Sequence, residues 1–178
     1  WPLEDLVSIA VKELFFGKSV RGRLPEPVSG ALDEALAQCF TRRTLVAKFA
    51  SIFDPLGFAT PVTARIKLDL SVITDLKLGW DDPIPDSYLS QWVMNLQDLQ
   101  ELRTLRFSRC YLDTAAISNE VELVVSVDAS EKIAVACVHA RSQLPDGSFA
   151  CRFVAAKSKL VHMSTVPRGE LKAAVLGA

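Results

Sequence analysis

The stretch that decides the fold of this 178-residue chain is Val121-Glu122-Leu123-Val124-Val125-Ser126-Val127-Asp128. It is rich in β-branched apolar residues, which favour a strand, and it closes on a carboxylate. Two similar stretches follow at 133–140 and 149–156, and Leu144-Pro145-Asp146-Gly147 supplies a turn between them. The pattern predicts three antiparallel strands.

A helix is predicted after the third strand. The stretch from Glu170 to Leu176 has helical character, and it follows a predicted turn over 166–169. Asp128 at a strand end and Glu170 on the next helix are the arrangement expected for half of a two-metal nuclease centre. A complete centre needs about four oxygen-donating side chains around two ions roughly 3.5 to 4 Å apart. We therefore expect this chain to be a piece of a larger enzyme.

The first half of the chain is predicted to be helical, because apolar residues recur there at helical spacing. The predicted helices cover 3–14, 31–40, a Thr41-capped segment reaching Phe53, 61–78 and 88–102, with breaks at 18–30, 54–57 and 80–85. Asp54 is interpreted as a turn cap, and Trp80 and Trp92 as core residues. The change of pattern near Arg109 predicts an α+β chain with a boundary at 110–119.

Charge is distributed unevenly along the chain. The net charge of -1 gives no overall attraction to nucleic acid or membrane. Residues 147–178, however, contain one acid, Glu170, and five basic residues, Arg152, Lys157, Lys159, Arg168 and Lys172. Such side chains could contact phosphates, and an ordinary solvated surface explains them equally well.

Cysteine usage and hydropathy bear on the cellular location. The four cysteines form no CxxC pair, and no apolar run reaches the 18 or more residues of a membrane span. No signal peptide opens the chain. We expect a reduced, intracellular, cytoplasmic protein without a membrane partner.

Several short motifs occur in a fixed order from residue 41 onward. They are Thr41-Arg42-Arg43-Thr44-Leu45, Phe53-Asp54-Pro55-Leu56-Gly57, Pro61-Val62, Lys67, Trp80-Asp81-Asp82-Pro83, Trp92, Asp128-Ala129-Ser130, Ala156-Lys157-Ser158 and Pro167-Arg168-Gly169-Glu170-Leu171. In this order and spacing the chain resembles the pol polyproteins of Pao (BEL) family LTR retrotransposons over about residues 41–178.

The resemblance implies a position between the polymerase palm and the ribonuclease H domain. Residues 1–40 are an unassigned helical segment and linker. Residues 41–112 would be the reverse transcriptase thumb or connection, and 120–178 the first part of a ribonuclease H-like domain.

The resemblance also implies chemistry. The family's first catalytic Asp and its Glu fall on Asp128 and Glu170, which would bind Mg²⁺. On an RNA/DNA hybrid as substrate, the phosphates could be contacted by four of the basic residues noted above: Lys157, Lys159, Arg168 and Lys172. The parent polyprotein would be an RNA-directed DNA polymerase and ribonuclease H. The rest of the polyprotein would be a partner of this chain, and in an active element the chain would be associated with a particle. This chain lacks the polymerase's paired-Asp motif and the later acids, so we expect weak Mg²⁺ binding and no catalysis from it alone.

Three departures from the family pattern bear on these expectations. Where the family commonly has the motif Pro-Arg-Leu-Glu-Leu, this chain has Gly169 in place of the first leucine. Glycine there slightly weakens the start of the helix. Val135 stands where the family usually has glycine, and its branched side chain could narrow the approach of a nucleic-acid backbone. Residues 1–40 carry no match.

Plainer interpretations stay open. Asp128 with Ser130 could form a side-chain turn, and Glu170 could simply complement a helix dipole. The chain could then be a non-catalytic binding or scaffold remnant of a retroelement. In either case we expect self-association, since the strand ending at Asp128 would leave an apolar sheet edge unpaired.

Overall fold

The computed structural model describes residues 6–11, 40–111, 116, 121–162 and 165–178. Over these residues the chain forms seven strands and four α-helices, which confirms the predicted α+β class. In chain order they are β1 (Leu6–Val7), β2 (Ala10–Val11), α1 (Arg42–Ala50), β3 (Ile52–Phe53), α2 (Thr60–Asp75), α3 (Leu89–Glu101), β4 (Phe107–Ser108), β5 (Glu122–Ala129), β6 (Ile133–Gln143), β7 (Phe149–Leu160) and α4 (Val166–Gly177). Single 3-10 turns, Asp86–Tyr88 and Leu102–Thr104, flank α3.

The elements group into two compact units. The sheet unit takes the described residues of Trp1–Ser8, Asp54–Ala64 and Arg106–Ala178, and the helical unit takes those of Ile9–Phe53 and Arg65–Leu105. Residues 54–64 therefore group with β5 to β7, although they lie far upstream in sequence. The division into 1–40, 41–112 and 120–178 stays a prediction.

The three predicted strands form one antiparallel sheet in the order β5-β6-β7. Asp128 pairs with Val135, and the next pair is Ala129 with Ala134. The register between β6 and β7 shifts at Val138 and His139, where a bulge interrupts the ladder. β6 extends to Gln143 and β7 to Leu160, several residues beyond their predicted ends. The reason is that backbone pairing continues at both ends of the ladder, where Gln143 pairs with Phe149 and Ile133 pairs with Leu160.

Helix α4 packs on one face of this sheet through small residues. Ala173 is fully buried and forms the core of the sheet unit with Ala134 and Val161. At the other end of the helix, a Cβ added to Gly177 would lie 2.7 Å from a methyl of Val127. Small side chains on both surfaces let the helix backbone approach the strands closely, and a larger residue at Gly177 would push it away.

Strand alternation divides the side chains of β5 between two faces. Val125 and Val127 face α4 at Gly177, and Ala129 packs against the buried core under the same helix. Ser126 and Asp128 alternate with these residues, so they project from the opposite face.

The Asp54-Pro55-Leu56-Gly57 motif binds the outer edge of β7. The Asp54 carboxylate accepts hydrogen bonds from the amides of Phe58 at 2.9 Å and Ala59 at 2.7 Å. The predicted turn cap is therefore confirmed. Ala156 N donates to Leu56 O at 2.8 Å. Gly57 has φ +76°, and a Cβ there would lie 1.8 Å from Ala156 O.

Aromatic contacts fix the same segment on the face opposite α4. Phe58 stacks on Phe107 with ring centroids 4.2 Å apart, and its ring lies 4.9 Å from that of Phe153. His139, which pairs with Phe153 across β6 and β7, meets the Phe153 ring edge-on at 5.8 Å. Part of this face is thus covered by residues that precede the strands in sequence.

In the helical unit, two of the family-like motifs hold each other. Thr41 caps α1 in a capping box with Thr44, as predicted. Arg43 N donates to Trp80 O at 3.0 Å, and the Arg43 guanidinium pairs with Asp81. Arg42 lies over the Trp80 ring at 4.4 Å. These contacts give the two motifs a structural role in the helical unit.

A polar network links α2 and α3 within the helical unit. Asn95 is fully buried and accepts a hydrogen bond from Arg65 Nε at 3.0 Å. It also donates to Asp69 Oδ2 at 2.7 Å. Arg65 also pairs with Asp98. Because a buried amide without partners would be costly, this network fixes how the two helices meet.

Four local predictions were wrong in the described residues. Residues 6–11 form strands β1 and β2, which pair with β4 and β3, whereas a helix was predicted. Helix α1 ends at Ala50, because Ile52–Phe53 pairs as a strand. Trp80 is 48% exposed, since its ring stacks under Arg42 at the surface, whereas Trp92 is buried as predicted. The remaining residues of the predicted helices 3–14 and 31–40, apart from Phe40, and all of the predicted linker 18–30 lie outside the described residues.

The start of α4 is the fourth correction. The predicted turn over 166–169 is the first turn of the helix, which begins at Val166 after Thr165. Pro167 fits there, because the first helical amides have no partner inside the helix. Gly169 is buried within this turn. Glu170 therefore lies in the second turn, so the helix dipole explains an acid at this position less well than was expected.

Candidate functional site

The first candidate ligand, Asp128, lies one residue before the end of β5 and is exposed. Its Oδ1 accepts a hydrogen bond from the amide of Ala129 at 2.8 Å. The second carboxylate oxygen has no hydrogen bond to any of the described residues. One oxygen of Asp128 is thus oriented by the backbone, and the other faces solvent.

The turn after Asp128 is held by Ser130. Ser130 N donates to Ile133 O at 2.9 Å, and Ser130 Oγ accepts from Ile133 N at 3.3 Å. The interpretation of this region as a side-chain turn therefore fits Ser130. It does not account for Asp128, whose carboxylate binds only the adjoining amide.

The second candidate ligand, Glu170, lies near the N-terminal end of α4 and is also exposed. The direction of α4 follows from its contacts, since Ala173 belongs to the buried cluster against which Ala129 packs, while Gly177 lies next to Val125 and Val127, earlier in β5. The helix therefore runs antiparallel to β5. Its first turns lie toward the strand end that carries Asp128.

Asp128 and Glu170 thus lie toward the same end of the sheet unit, but on different faces of it. Asp128 projects from the face that α4 leaves open, and Glu170 lies on the helix that covers the other face. No hydrogen bond connects the two within the described residues. The two carboxylates therefore lie toward the same end of the sheet unit and are not hydrogen-bonded to each other.

The donor set can be compared with what Mg²⁺ requires. Exposed carboxylate oxygens are the hard ligands that Mg²⁺ prefers, and Mg²⁺ usually keeps several waters. Among the described residues, however, no group of three or more His, Cys, Asp or Glu side chains is arranged to hold a metal ion. The described residues therefore do not make up a complete two-metal centre.

Val135 is the nearest cross-strand neighbour of Asp128. The two residues are directly paired between β5 and β6, so their side chains lie on the same face. Val135 is half-buried there. A branched apolar side chain thus borders the carboxylate on one side.

The candidate phosphate-binding residues lie away from Asp128. Lys157 and Lys159 are exposed and pair with Ala136 and Ala134, which face α4. The lysines therefore project from the α4 face, opposite to Asp128. Lys172 Nζ donates to His162 O at 3.3 Å.

Arg168 is exposed in the first turn of α4, one turn before Lys172. Lys159 and Lys172 line a common groove between β7 and α4. Two of the four basic residues are thus brought together on the α4 face.

The profile of a protein family described as "Pao retrotransposon-like RNaseH-like domain" matches residues 41–178. The chain belongs to this Pao retrotransposon family. The match begins at the Thr41 cap and includes the helical unit's Trp80-Asp81-Asp82-Pro83 motif as well as the strands. No curated protein and no solved structure matches the chain.

In this Pao RNase H-like region, none of the described helices is both long and apolar enough to cross a membrane.

The sequence pattern did not predict that Leu171 and Val175 on α4 are exposed, at 66% and 70%. Their helical spacing is typical of a core face. The small residues Gly169, Ala173 and Gly177 recur at the same four-residue spacing on a different face of α4. They are the sequence signal that could have indicated which face of the helix packs on the sheet.

Proposed function

We propose that this Pao RNase H-like region takes part in binding an RNA/DNA hybrid and contributes Asp128 and Glu170 to a two-metal ribonuclease H site. The observation that supports it best is that both exposed carboxylates lie toward one end of the sheet unit. The remaining ligands would come from other parts of the polyprotein.

Mg²⁺ bound at such a site would activate water for attack on the RNA strand and stabilise the leaving oxygen. Asp128 would bind through the carboxylate oxygen that faces solvent, while Ala129 N holds the other. Glu170 would reach the site from the second turn of α4. Because the described residues lack the other donors, we expect weak Mg²⁺ binding and no cleavage by this chain alone.

The exposed basic side chains would supply the hybrid's phosphate contacts. Lys157 and Lys159 lie on β7, and Arg168 and Lys172 on α4. Contacts of this kind depend on counterion release, so binding should weaken steeply as salt increases. Because the lysines and Asp128 project from opposite faces, the hybrid would pass around the end of the sheet to meet both. We expect the region to work in the cytoplasm, within a particle if the element is active.

A hybrid binding and cleavage assay tests the proposal. A labelled RNA/DNA hybrid should bind the chain at low salt, and substitution of Lys157 and Arg168 by Glu should weaken binding severalfold. Lys132→Glu is the matched control, because Lys132 is exposed in a turn outside the proposed set. With Mg²⁺ the bound hybrid should stay intact. Robust cleavage abolished by Asp128→Asn would contradict the proposed incompleteness of the site.

Val135 favours a second candidate, a non-catalytic binding or scaffold role. Its half-buried side chain borders Asp128 where a nucleic-acid backbone would have to approach. In that case the Lys157 and Arg168 substitutions should weaken hybrid binding no more than Lys132→Glu does, and Val135→Gly should not change the affinity for the hybrid.

A further inference from the structure

A groove of about 620 Å³ lies between α4 and the end of β7, within the sheet unit. Six of its nine lining residues are apolar. Leu160 and Val161 form the wall on the strand side, and Leu171 and Val175 form the wall on the helix side. A groove of this size can hold a few apolar side chains.

The helix wall of the groove is unusually open to water. Leu171 is 66% exposed and Val175 is 70% exposed. They are four residues apart on α4, so they lie on one face of the helix, one turn apart. A small ligand inside the groove would leave most of this wall in water, whereas a polypeptide segment lying across it would cover both side chains.

The charge around the groove is positive. Lys159 lines it from β7 and Lys172 lines it from α4, while no acidic side chain of the described residues lines it. The Lys172 ammonium donates one hydrogen bond, to His162 O at 3.3 Å. Since an ammonium has three donors, it retains capacity for a further acceptor. The complementary ligand therefore combines apolar side chains with negative charge.

We propose that this groove binds an acidic amphipathic helix of a partner protein. Its apolar side chains, spaced at i, i+3, i+4 and i+7, would pack against Leu171 and Val175. Its carboxylates would pair with Lys159 and Lys172. The hybrid proposed above would contact the same two lysines but would leave the apolar wall without a partner, so a protein segment bound to this wall would compete with the hybrid for Lys159 and Lys172.

A synthetic peptide tests the proposal on the full chain. The probe is a fluorescein-labelled helical peptide that has one Leu stripe at the i, i+3, i+4, i+7 spacing, flanked by Glu. Its affinity should fall by about fivefold or more when Lys159 and Lys172 are both replaced by Glu, since each exposed ion pair contributes modestly. The same double variant should bind better to a peptide in which Lys replaces Glu. Leu171→Ser should weaken both peptides.

The matched control is Lys132→Glu, because Lys132 is exposed in the turn before β6 and does not line the groove. It should leave the affinity of the Glu peptide unchanged. All substituted side chains are exposed, so the far-ultraviolet circular dichroism should not change. Peptide affinity that is absent, or insensitive to the double substitution, overturns the proposal. So does binding of a labelled RNA/DNA hybrid that requires both lysines while the peptide does not bind.

Discussion

Val135 lies directly opposite Asp128 in the sheet, on the face that α4 leaves open. A branched side chain therefore borders the candidate ligand on that face. We expect this side chain to limit access to the carboxylate.

Val135→Ala should increase the solvent exposure of Asp128 and lower the free energy of unfolding by about 1 to 2 kcal/mol, because a half-buried side chain is shortened. Val135→Gly should lower it by roughly a further 0.5 to 1 kcal/mol, since glycine weakens a strand. Chemical denaturation measures both values. Equal stability of the wild type and both variants would show that Val135 does not pack as described.

Gly57→Ala should lower the free energy of unfolding by about 3 kcal/mol, because a Cβ there would add positive-φ strain and a clash with a backbone carbonyl. The clashing atom is Ala156 O, at 1.8 Å. Gly147→Ala is the matched control, since Gly147 has φ +83° but no atom within 4 Å of the added Cβ. It should cost only about 1 kcal/mol, for the positive φ alone. Similar losses at both positions would mean that the Asp54-Pro55-Leu56-Gly57 motif does not bind β7.

The edge of β5 should promote self-association. In the described sheet β5 has one neighbour, and its Leu123 is 67% exposed. Leu123→Lys should reduce the associated fraction in light scattering, because a charge on an edge strand opposes pairing with another chain. Met94→Lys adds the same charge on an exposed residue of α3 and should have no such effect. A wild-type chain that stays monomeric at high concentration would count against this prediction.

The pair of Arg43 and Asp81 should give a local acid dependence. The side-chain hydrogen bond from Arg43 holds the pKa of Asp81 below its ordinary value of 3.8. The folded state then binds fewer protons at Asp81 than the unfolded state does, so the contribution of this pair is present above pH 3.8 and is lost as pH falls through the lowered pKa. In NMR titrations, Arg43→Gln should raise the pKa of Asp81.

Asp146 provides the control for that titration. Its pKa is lowered by hydrogen bonds from Ser148, in the other unit. Arg43→Gln should leave the Asp146 titration unchanged. A shift of both residues, or of neither, would contradict the local origin of the effect.

The sequence predicted the parts of the fold that local chemistry determines. The β-branched content of 121–127 predicts β5, the Thr41 hydroxyl predicts the start of α1, and the breaker residues of 54–57 predict the turn. By contrast, Leu6–Val7 pairs with Phe107–Ser108, and no local signal indicates a partner so far along the chain. Helical periodicity over six residues cannot outweigh such pairing.

The sequence singles out the candidate site residues but does not show how they are arranged. Apolar Val124 and Val125 are adjacent, so the sequence does not show which face of β5 is buried, and hence where Asp128 points. The structure resolves this through Val127 and Ala129, which face α4. Likewise Gly169 and Ala173, rather than Leu171 and Val175, face the sheet, because small residues allow the helix to approach closely.

The most direct test of the proposed site is carboxyl NMR of Asp128 and Glu170 during titration with Mn²⁺, a paramagnetic substitute for Mg²⁺. A shared site predicts that both resonances broaden together as Mn²⁺ is added, and that Asp128→Asn abolishes the broadening of Glu170. Glu122, which lies on the same strand and pairs with Arg141, should stay sharp over that range. Broadening of Glu122 to the same extent, or of Glu170 independently of Asp128, would contradict a shared metal site.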